Sequence, residues 1–174
     1  MAHVTATPMP QGSRLAEEFP PRAWFQDAYA APLSVAHATM PKLFFAIFGH
    51  HPAWMKTMLI ARNRLAARWG LEVPDDAEIR HPTMKASYKV GDKIGPWPLF
   101  ALDADELIAG RDNSHLDFRV SVMRTKGPSG ARVTVTTVCN PHNVGGKAYL
   151  LAIAPFHKLG LRRLLANAVV AGRI

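Results

Sequence analysis

The sequence predicts an α+β domain in which a curved antiparallel sheet wraps around a long C-terminal helix. After Pro82 the apolar pattern changes from the helical period of about 3.6 residues to strand-like alternation. Short turns then separate successive strand-like segments, which favours antiparallel neighbours. A long helical segment follows them, and it is the one element long enough to cover the apolar face of such a sheet.

The composition is that of an ordinary globular protein. The chain has 174 residues, 48% of them hydrophobic and 20% charged, which fits a single domain. Its one cysteine, Cys139, cannot form an internal disulfide, and this agrees with a cytoplasmic location. No apolar run approaches the ~18 residues of a membrane span. The net charge of +8 arises from scattered basic residues without a nucleic-acid-binding motif, so we expect neither a membrane nor a specific nucleic-acid partner.

The N-terminus differs in composition from the rest of the chain. Residues 1–21 carry four prolines and mixed charge, which is typical of a loosely held end. The sequence therefore predicts a flexible extension over 1–21 and a single folded domain over 22–174. Aromatic side chains in residues 22–30 favour a first strand, which Pro32 would end.

Two helices are expected after this strand. Ser34 is a suitable N-cap for a helix that runs to Phe48, with a kink or break at Pro41, because proline removes a helical hydrogen bond. The second helix is bounded by Pro52 and Gly70. Proline is favoured in the first turn of a helix and glycine just after the last, so these two residues fit its ends.

Five more strands are predicted after residue 82, at 84–90, 99–103, 106–111, 115–125 and 131–140. The fourth alternates cleanly between an apolar and a polar face. The apolar face carries Leu116, Phe118, Val120 and Val122. The polar face carries His115, Asp117, Arg119 and Ser121. Alternation alone does not decide which face meets the final helix, which is predicted over 147–170 with an interruption at Pro155.

Several segments resemble a bacterial family called domain of unknown function 2867. The most specific are His-Leu-Asp-Phe-Arg-Val-Ser-Val over 115–122 and Ile-Ala-Pro-Phe-His-Lys over 153–158. Shorter matches are Arg62-Asn63, Gly70-Leu71, Thr137-Val138, His142-Asn143 and Gly146-Lys147-Ala148-Tyr149. The resemblance extends over about residues 28 to 170, which is nearly the whole predicted domain.

The resemblance implies a helix-grip fold, as in START domains, polyketide cyclases and the birch-pollen allergen. That fold has seven strands, whereas the patterns above predict six. The family brings no established reaction. Some relatives resemble a domain that follows a dinucleotide-binding one, but this chain has no G-x-G-x-x-G motif, so no nicotinamide cofactor is implied.

Arg62 lies within an apolar stripe of the second predicted helix, formed by Trp54, Met55, Met58, Leu65, Ala66 and Trp69. An unpaired buried guanidinium is very costly, so Arg62 must pair with a carboxylate, reach water or face a ligand. Asp27 and Asp117 are its candidate partners. If Arg62 instead faces a pocket, it would bind a carboxylate or another anion.

His157 lies on the apolar face of the final helix, either as a core histidine bonded to a backbone carbonyl or as a proton-transferring or ligand-binding group. His115 and Asp117 either form a charge ladder on their strand or line a pocket, and Tyr149 completes the candidate set. No histidine pair has the i, i+4 spacing of a helical metal site, so no metal is expected. Cys139 has no adjacent base and is a poor candidate nucleophile.

The favoured hypothesis is a binding protein with a largely apolar cavity for a small, mostly apolar ligand, and Arg62 would allow that ligand to be anionic. One alternative is a cyclase- or dehydratase-like enzyme, in which His157 moves a proton and Arg62 stabilises developing negative charge. Another is a non-catalytic interaction subunit, such as a homodimer formed through outer helix surfaces that carry Ile60 and Leu159.

Overall fold

The computed structural model describes residues 4–19, 23–68, 83–127 and 130–174. Within these residues, seven strands form one antiparallel sheet in the order β1-β2-β7-β6-β5-β4-β3. The strands are β1 Thr5–Ala6, β2 Phe25–Pro32, β3 Lys93–Ile94, β4 Trp97–Leu102, β5 Glu106–Asp112, β6 Leu116–Gly127 and β7 Gly130–Pro141. The helices are α1 Leu15–Glu18, α2 Met40–Phe48, α3 Ala53–Arg68 and α4 Val144–Val170. The predicted α+β class, with a curved antiparallel sheet and a long C-terminal helix, is confirmed, and the arrangement is consistent with a helix grip.

The main core lies between the sheet and helices α2 and α4. The sheet face that contacts these helices, called the inner face here, contributes Leu107, Val122 and Val135, while α2 contributes Phe44 and α4 contributes Leu165. Burying a side chain of this size stabilises the fold by ~1.5–3 kcal/mol relative to exposure. The apolar face of β6 is therefore the inner face, and Asp117, Arg119 and Ser121 project from the opposite, outer face.

The N-terminal segment contacts the body of the domain. We expected a loosely held extension over 1–21, but residues 4–19 instead form β1 at the edge of the sheet and α1 against its outer face. Leu15 and Phe19 are buried there beside Ile108 and Val138. These apolar contacts give the segment the burial that its proline content did not predict.

Helix α2 begins five residues later than expected, with Thr39 rather than Ser34 at the N-cap position. The prediction of a helix from Ser34 with a kink at Pro41 is wrong, because α2 starts at Met40 and Pro41 lies in its first turn. A first-turn proline loses no helical hydrogen bond, since the first N–H groups of a helix have no partner within it. Helix α3 begins at Ala53, one residue after Pro52, which we predicted to occupy the first helical position, and its predicted end at Gly70 lies outside the described residues.

Two further boundaries differ from the prediction. Residues 84–90 form no strand: Met84 and Val90 are exposed, and Tyr88 is the residue of this segment that packs against the core, beside Phe45. Five of the six predicted strands are present, and the two short strands β1 and β3, which the patterns missed, bring the total among the described residues to seven. Helix α4 starts at Val144, where the side chain of Asn143 accepts a hydrogen bond of 2.8 Å from the backbone N–H of Gly146, and it continues past Pro155.

Candidate functional site

A group of polar side chains lies on the inner face, where β2 and β7 face the first half of α4. Alternation along β2 places Phe25, Asp27 and Tyr29 on this face. Thr137 and Cys139 occupy the directly opposed positions of Asp27 and Phe25 on β7. We call Asp27, Tyr29, Thr137, Cys139 and His157 the inner-face cluster.

His157 of α4 contacts the carboxylate of Asp27. Its Nε2 atom lies 3.3 Å from Asp27 Oδ1, and the ring packs edge-on against Phe25 with the ring centroids 5.8 Å apart. The Asp27 side chain is 8% exposed and that of His157 is 29% exposed, so the imidazole is the more accessible partner. When the buried carboxylate accepts a hydrogen bond from Nε2–H, it fixes the orientation of the imidazole ring. Nδ1 is then the ring nitrogen that takes no part in this bond.

Two oxygens of the cluster have no hydrogen-bond partner among the described residues. They are Asp27 Oδ2 and Thr137 Oγ1, which belong to opposed residues on neighbouring strands, and both are buried. A buried polar atom without a partner costs ~1–3 kcal/mol. This cost on an otherwise apolar face marks the cluster as a place where a ligand could supply the missing donor.

Two neutral groups flank the carboxylate. Burial raises the pKa of the Tyr29 hydroxyl, the charge of Asp27 raises it further, and the Arg162 guanidinium, 5.9 Å from the Tyr29 ring, lowers it. A hydrogen-bonding interaction of the hydroxyl with Asp27 also raises the pKa of Tyr29, while Asp27 Oδ2 has no hydrogen-bond partner among the described residues. Burial, together with Asp27, raises the pKa of the Cys139 thiol to about 12, so it is protonated at neutral pH and is a poor nucleophile.

The side chain of Arg62 lies outside the described part of the structure. Its two predicted partners contact histidines: Asp27 contacts His157, and Asp117 contacts His142. On α3 the buried residues include Met55, Ile60 and Asn63, whereas Trp54 and Met58 of the predicted stripe are exposed. The apolar face of α3 is therefore rotated relative to the predicted stripe, because the phase of the buried side depends on which neighbours the helix meets.

Tyr149 lies near the inner-face cluster. It packs against a small apolar group that contains Cys139, Leu150 and Phe25, and Phe25 in turn contacts His157. The structure thus brings two of the five predicted site residues, Tyr149 and His157, to one region.

His115 and Asp117 belong to a different location, near the N-terminus of α4. Asp117 Oδ2 lies 2.9 Å from His142 Nε2, and His115 Nδ1 lies 3.2 Å from Asn143 Nδ2. The side chains of Asp117 and His142 are 29% and 43% exposed, so this pair is more accessible to water than Asp27 and His157. We call Asp117 and His142 the outer pair.

An open groove of about 600 Å³ lies at the other end of the sheet, between the N-terminal segment and the β6–β7 hairpin. None of the five predicted site residues lines it; its polar lining includes Thr5, Thr7, Lys126 and Arg132. Its walls are largely polar and open to solvent, unlike the expected apolar cavity. Buried polar atoms without a partner also occur at Asp117 Oδ1 of the outer pair and at the Nε atoms of Arg124 and Arg132, which line this groove. Among the described residues, the inner-face cluster is distinguished because its two such oxygens belong to directly opposed residues of neighbouring strands, and we therefore place the candidate site there.

Sequence reasoning missed Thr137 and named Asp27 only as a partner for Arg62. A signal for Asp27 was present, because it lies between Phe25 and Tyr29 with the spacing of two that puts all three on one strand face. Thr137 offered no such signal, since threonine is common in strands and its unpaired hydroxyl follows from the register of β7 against β2.

Three further observations bear on the other predictions. No group of three or more His, Cys, Asp or Glu side chains in the described ranges is arranged to hold a metal ion. None of the helices in the same ranges combines the length and the apolar character needed to cross a bilayer. Of the two residues predicted to mark an outer interaction surface, Ile60 is buried and Leu159 is exposed.

Comparisons with known proteins place the chain in a family. Neither the search of curated proteins nor the search of solved structures finds a match. A family model, however, matches residues 19–164, which include both specific motifs, the inner-face cluster and the outer pair. The resemblance inferred from those motifs is therefore confirmed, and the chain belongs to the family described as "Protein of unknown function (DUF2867)".

Proposed function

We propose that this protein binds a small, largely apolar molecule at the inner-face cluster, and that the ligand donates a hydrogen bond to Asp27. The observation that carries the proposal is the buried Oδ2 atom of Asp27, which no described residue satisfies. A hydroxyl, amine or amide N–H of a ligand would remove the cost of ~1–3 kcal/mol that this atom imposes. Thr137 Oγ1, on the opposed residue, would form a second contact.

The surroundings of the carboxylate support an apolar ligand. Phe25 and Val120 lie on the same sheet face, Val120 opposite Thr137, and Leu150 and Ile153 of α4 contribute to the adjoining apolar group. Small-molecule sites typically combine such apolar walls with a few convergent polar groups that orient the ligand. The likeness to helix-grip proteins adds to this, because it implies a ligand space between the sheet and the C-terminal helix.

The negative charge of Asp27 affects which net charge a ligand at the inner-face cluster can carry. The sequence allowed an anionic ligand because of Arg62, but Asp27 is a buried carboxylate and would repel an anion placed beside it. Two cations of α4 lie beside the cluster, but over aromatic rings: Arg162 is 5.9 Å from the centroid of Tyr29 and Lys158 is 5.7 Å from that of Phe25. A neutral or cationic ligand therefore fits the described groups better than an anionic one.

The proposal is tested by native mass spectrometry of the purified protein and its variants. The wild type is expected to carry a ligand mass, or to be stabilised by apolar alcohols and amines in a thermal-shift panel, and Asp27→Asn is expected to lose that binding. Asp117→Asn serves as the matched control, because it removes the same charge from the outer pair. Equal binding by Asp27→Asn and Asp117→Asn would overturn the proposal.

A further inference from the structure

We propose that Asp27 and His157 form a proton-transfer pair, in which Nδ1 of His157 removes a proton from a molecule held at the inner-face cluster. This inference rests on the proposed function, since the substrate would occupy the same site. His157 would be the catalytic residue, and Asp27 would be a positioning residue that acts through it.

The geometry assigns the two nitrogens of His157 different tasks. Nε2 faces Asp27 Oδ1 at 3.3 Å, so its N–H donates to the carboxylate. The neutral ring then carries its lone pair on Nδ1, to which no residue of the described ranges hydrogen-bonds. When Nδ1 takes a proton, the adjacent carboxylate stabilises the imidazolium that forms, and this arrangement of carboxylate, imidazole and substrate is that of a general base.

The other titratable and charged groups near the ring do not compete for this role. Tyr29 and Cys139 stay protonated at neutral pH, because burial raises the pKa of each. Lys158 and Arg162 on α4 lie over the rings of Phe25 and Tyr29, at 5.7 Å and 5.9 Å from the ring centroids. Among these described neighbours, Asp27 is the one anion in contact with His157.

The outer pair has the same two residue types as Asp27 and His157, but its side chains are more exposed to water. Asp117 and His142 have a shorter contact, 2.9 Å, but both side chains are more exposed than their counterparts in the inner pair. Electrostatic interactions weaken as water gains access to the charges. The outer pair, with the same residue types in a more accessible position, is therefore the internal control for Asp27 and His157.

A base of this kind supports reactions in which the only species exchanged between the protein and the substrate is a proton. The C–H bond of the substrate breaks, the proton moves to Nδ1, and the electron pair stays on the substrate, delocalised into an adjacent carbonyl group or used to expel a leaving group. The imidazolium then returns the proton at another atom or gives it to water. The substrate class is thus a small carbon acid, and the outcome is an isomerisation or an elimination without any oxidant or reductant.

The Kemp elimination of 5-nitrobenzisoxazole tests the proton transfer to Nδ1 alone, because this probe has no N–H or O–H group to donate to Asp27. The base takes the ring C–H proton, the electron pair completes a nitrile, the N–O bond breaks, and its electrons leave on a coloured phenolate. The wild type and Asp117→Asn are expected to react at the same rate, and His157→Ala at least about a hundredfold more slowly. Asp27→Asn is expected to lose about tenfold in rate, because the charge that stabilises the imidazolium in the transition state is gone, and the conservative variant Asp27→Glu is expected to recover part of that loss.

Two further measurements separate the possible failures. Calorimetric binding of 5-nitroindazole, an unreactive analogue of the probe, reports on the ligand site alone. Acylation by diethyl pyrocarbonate, followed by peptide mass spectrometry, reports on access to Nδ1, and His157 is expected to be acylated in the folded protein. Turnover no faster than that of His157→Ala overturns the proton-transfer pair. If 5-nitroindazole still binds in an Asp27-dependent way, the proposed function survives that result. If 5-nitroindazole does not bind, the ligand site and the proton-transfer pair are both overturned.

Discussion

Asp27 and Thr137 face each other directly across β2 and β7, and each carries a buried oxygen that no described residue satisfies. Two such atoms on one apolar sheet face are an expensive arrangement for stability alone. This relationship is what separates the inner-face cluster from an ordinary patch of core, and it leads to the first prediction.

Replacing Thr137 by valine should not destabilise the ligand-free protein. Valine keeps the β-branched shape and removes a buried hydroxyl without a partner, so the free energy of unfolding should stay the same or rise by up to about 1 kcal/mol. Thr134→Val is the matched control on the same strand, because the Thr134 hydroxyl lies 3.2 Å from that of Thr125. Urea denaturation should show the larger loss for Thr134→Val, and the reverse order would contradict the assignment.

Glu106 should hold the N-terminal segment in place. This buried carboxylate accepts hydrogen bonds from the hydroxyls of Ser13 and Ser121 and, at 2.8 Å, from the backbone N–H of Arg14. Glu106→Ala leaves these donors without an acceptor and should lower the free energy of unfolding by about 3 kcal/mol. Hydrogen exchange over residues 5–19 should accelerate in this variant but not in Glu17→Ala, whose side chain is exposed.

His51 should make the protein less stable in mild acid. Burial, followed by the charges of Lys56 and His50, lowers the pKa of His51 to about 4. In the unfolded chain the pKa of the histidine is near its ordinary value of 6.5, so between these two pKa values the unfolded state binds more protons. Stability is therefore lost as the pH falls from about 6.5 to about 4, by at most ~3 kcal/mol.

His51→Gln should remove much of that acid-dependent loss. Urea denaturation of the variant and the wild type at neutral pH and near pH 4.5 gives the comparison. His37→Gln is a suitable control, because His37 is exposed. Parallel pH profiles for wild type and His51→Gln would show that His51 is not the group responsible.

Cys139 should be unreactive in the folded protein. Its pKa is raised to about 12, first by burial and then by the charge of Asp27, so almost no thiolate forms at neutral pH. Iodoacetamide should label it at least about a hundredfold more slowly than the same thiol in the urea-unfolded chain. Labelling of the native protein at the unfolded rate would mean that the thiol is accessible and that β7 is not packed as described.

Two adjacent glycines at the start of α4 should respond differently to alanine. A Cβ atom on Gly146 would lie 2.2 Å from the carbonyl oxygen of His115, whereas one on Gly145 would meet Asn143 Oδ1 at 3.3 Å. Gly146→Ala must displace backbone and should cost about 3 kcal/mol. Gly145→Ala should change stability by no more than about 1 kcal/mol, since alanine also favours the helix. Equal thermal shifts for the two variants would contradict this close approach.

The predicted boundaries failed where contacts outside the local segment decided the outcome. Residues 84–90 have strand-like composition, but only Tyr88 packs against the core, Met84 and Val90 are exposed, and the segment forms no strand. Residues 4–19 have the proline content of a loose end, yet Leu15 and Phe19 are buried on the outer face of the sheet. In both cases the local pattern gives the propensity, and burial against distant residues decides whether an element forms.

The candidate site was predictable only in part. His157 was recognised because it lies on the apolar face of a long amphipathic helix, and the structure brings it to the inner face. Its partner Asp27 is 130 residues away in sequence, and no periodicity connects the two. His115 and Asp117 share a motif with the family but lie beside His142 and Asn143, away from the inner-face cluster.

The sequence by itself determined the α+β class, the antiparallel meander, the final helix and the family, because these follow from local periodicity, turn chemistry and contiguous motifs. Only the tertiary structure decided that the apolar face of β6 meets α4, that β2 lies beside β7, and that Asp27 therefore faces His157 and Thr137. The physical reason is that pairing between strands far apart in the chain depends on the total burial of the sheet, which no single segment encodes.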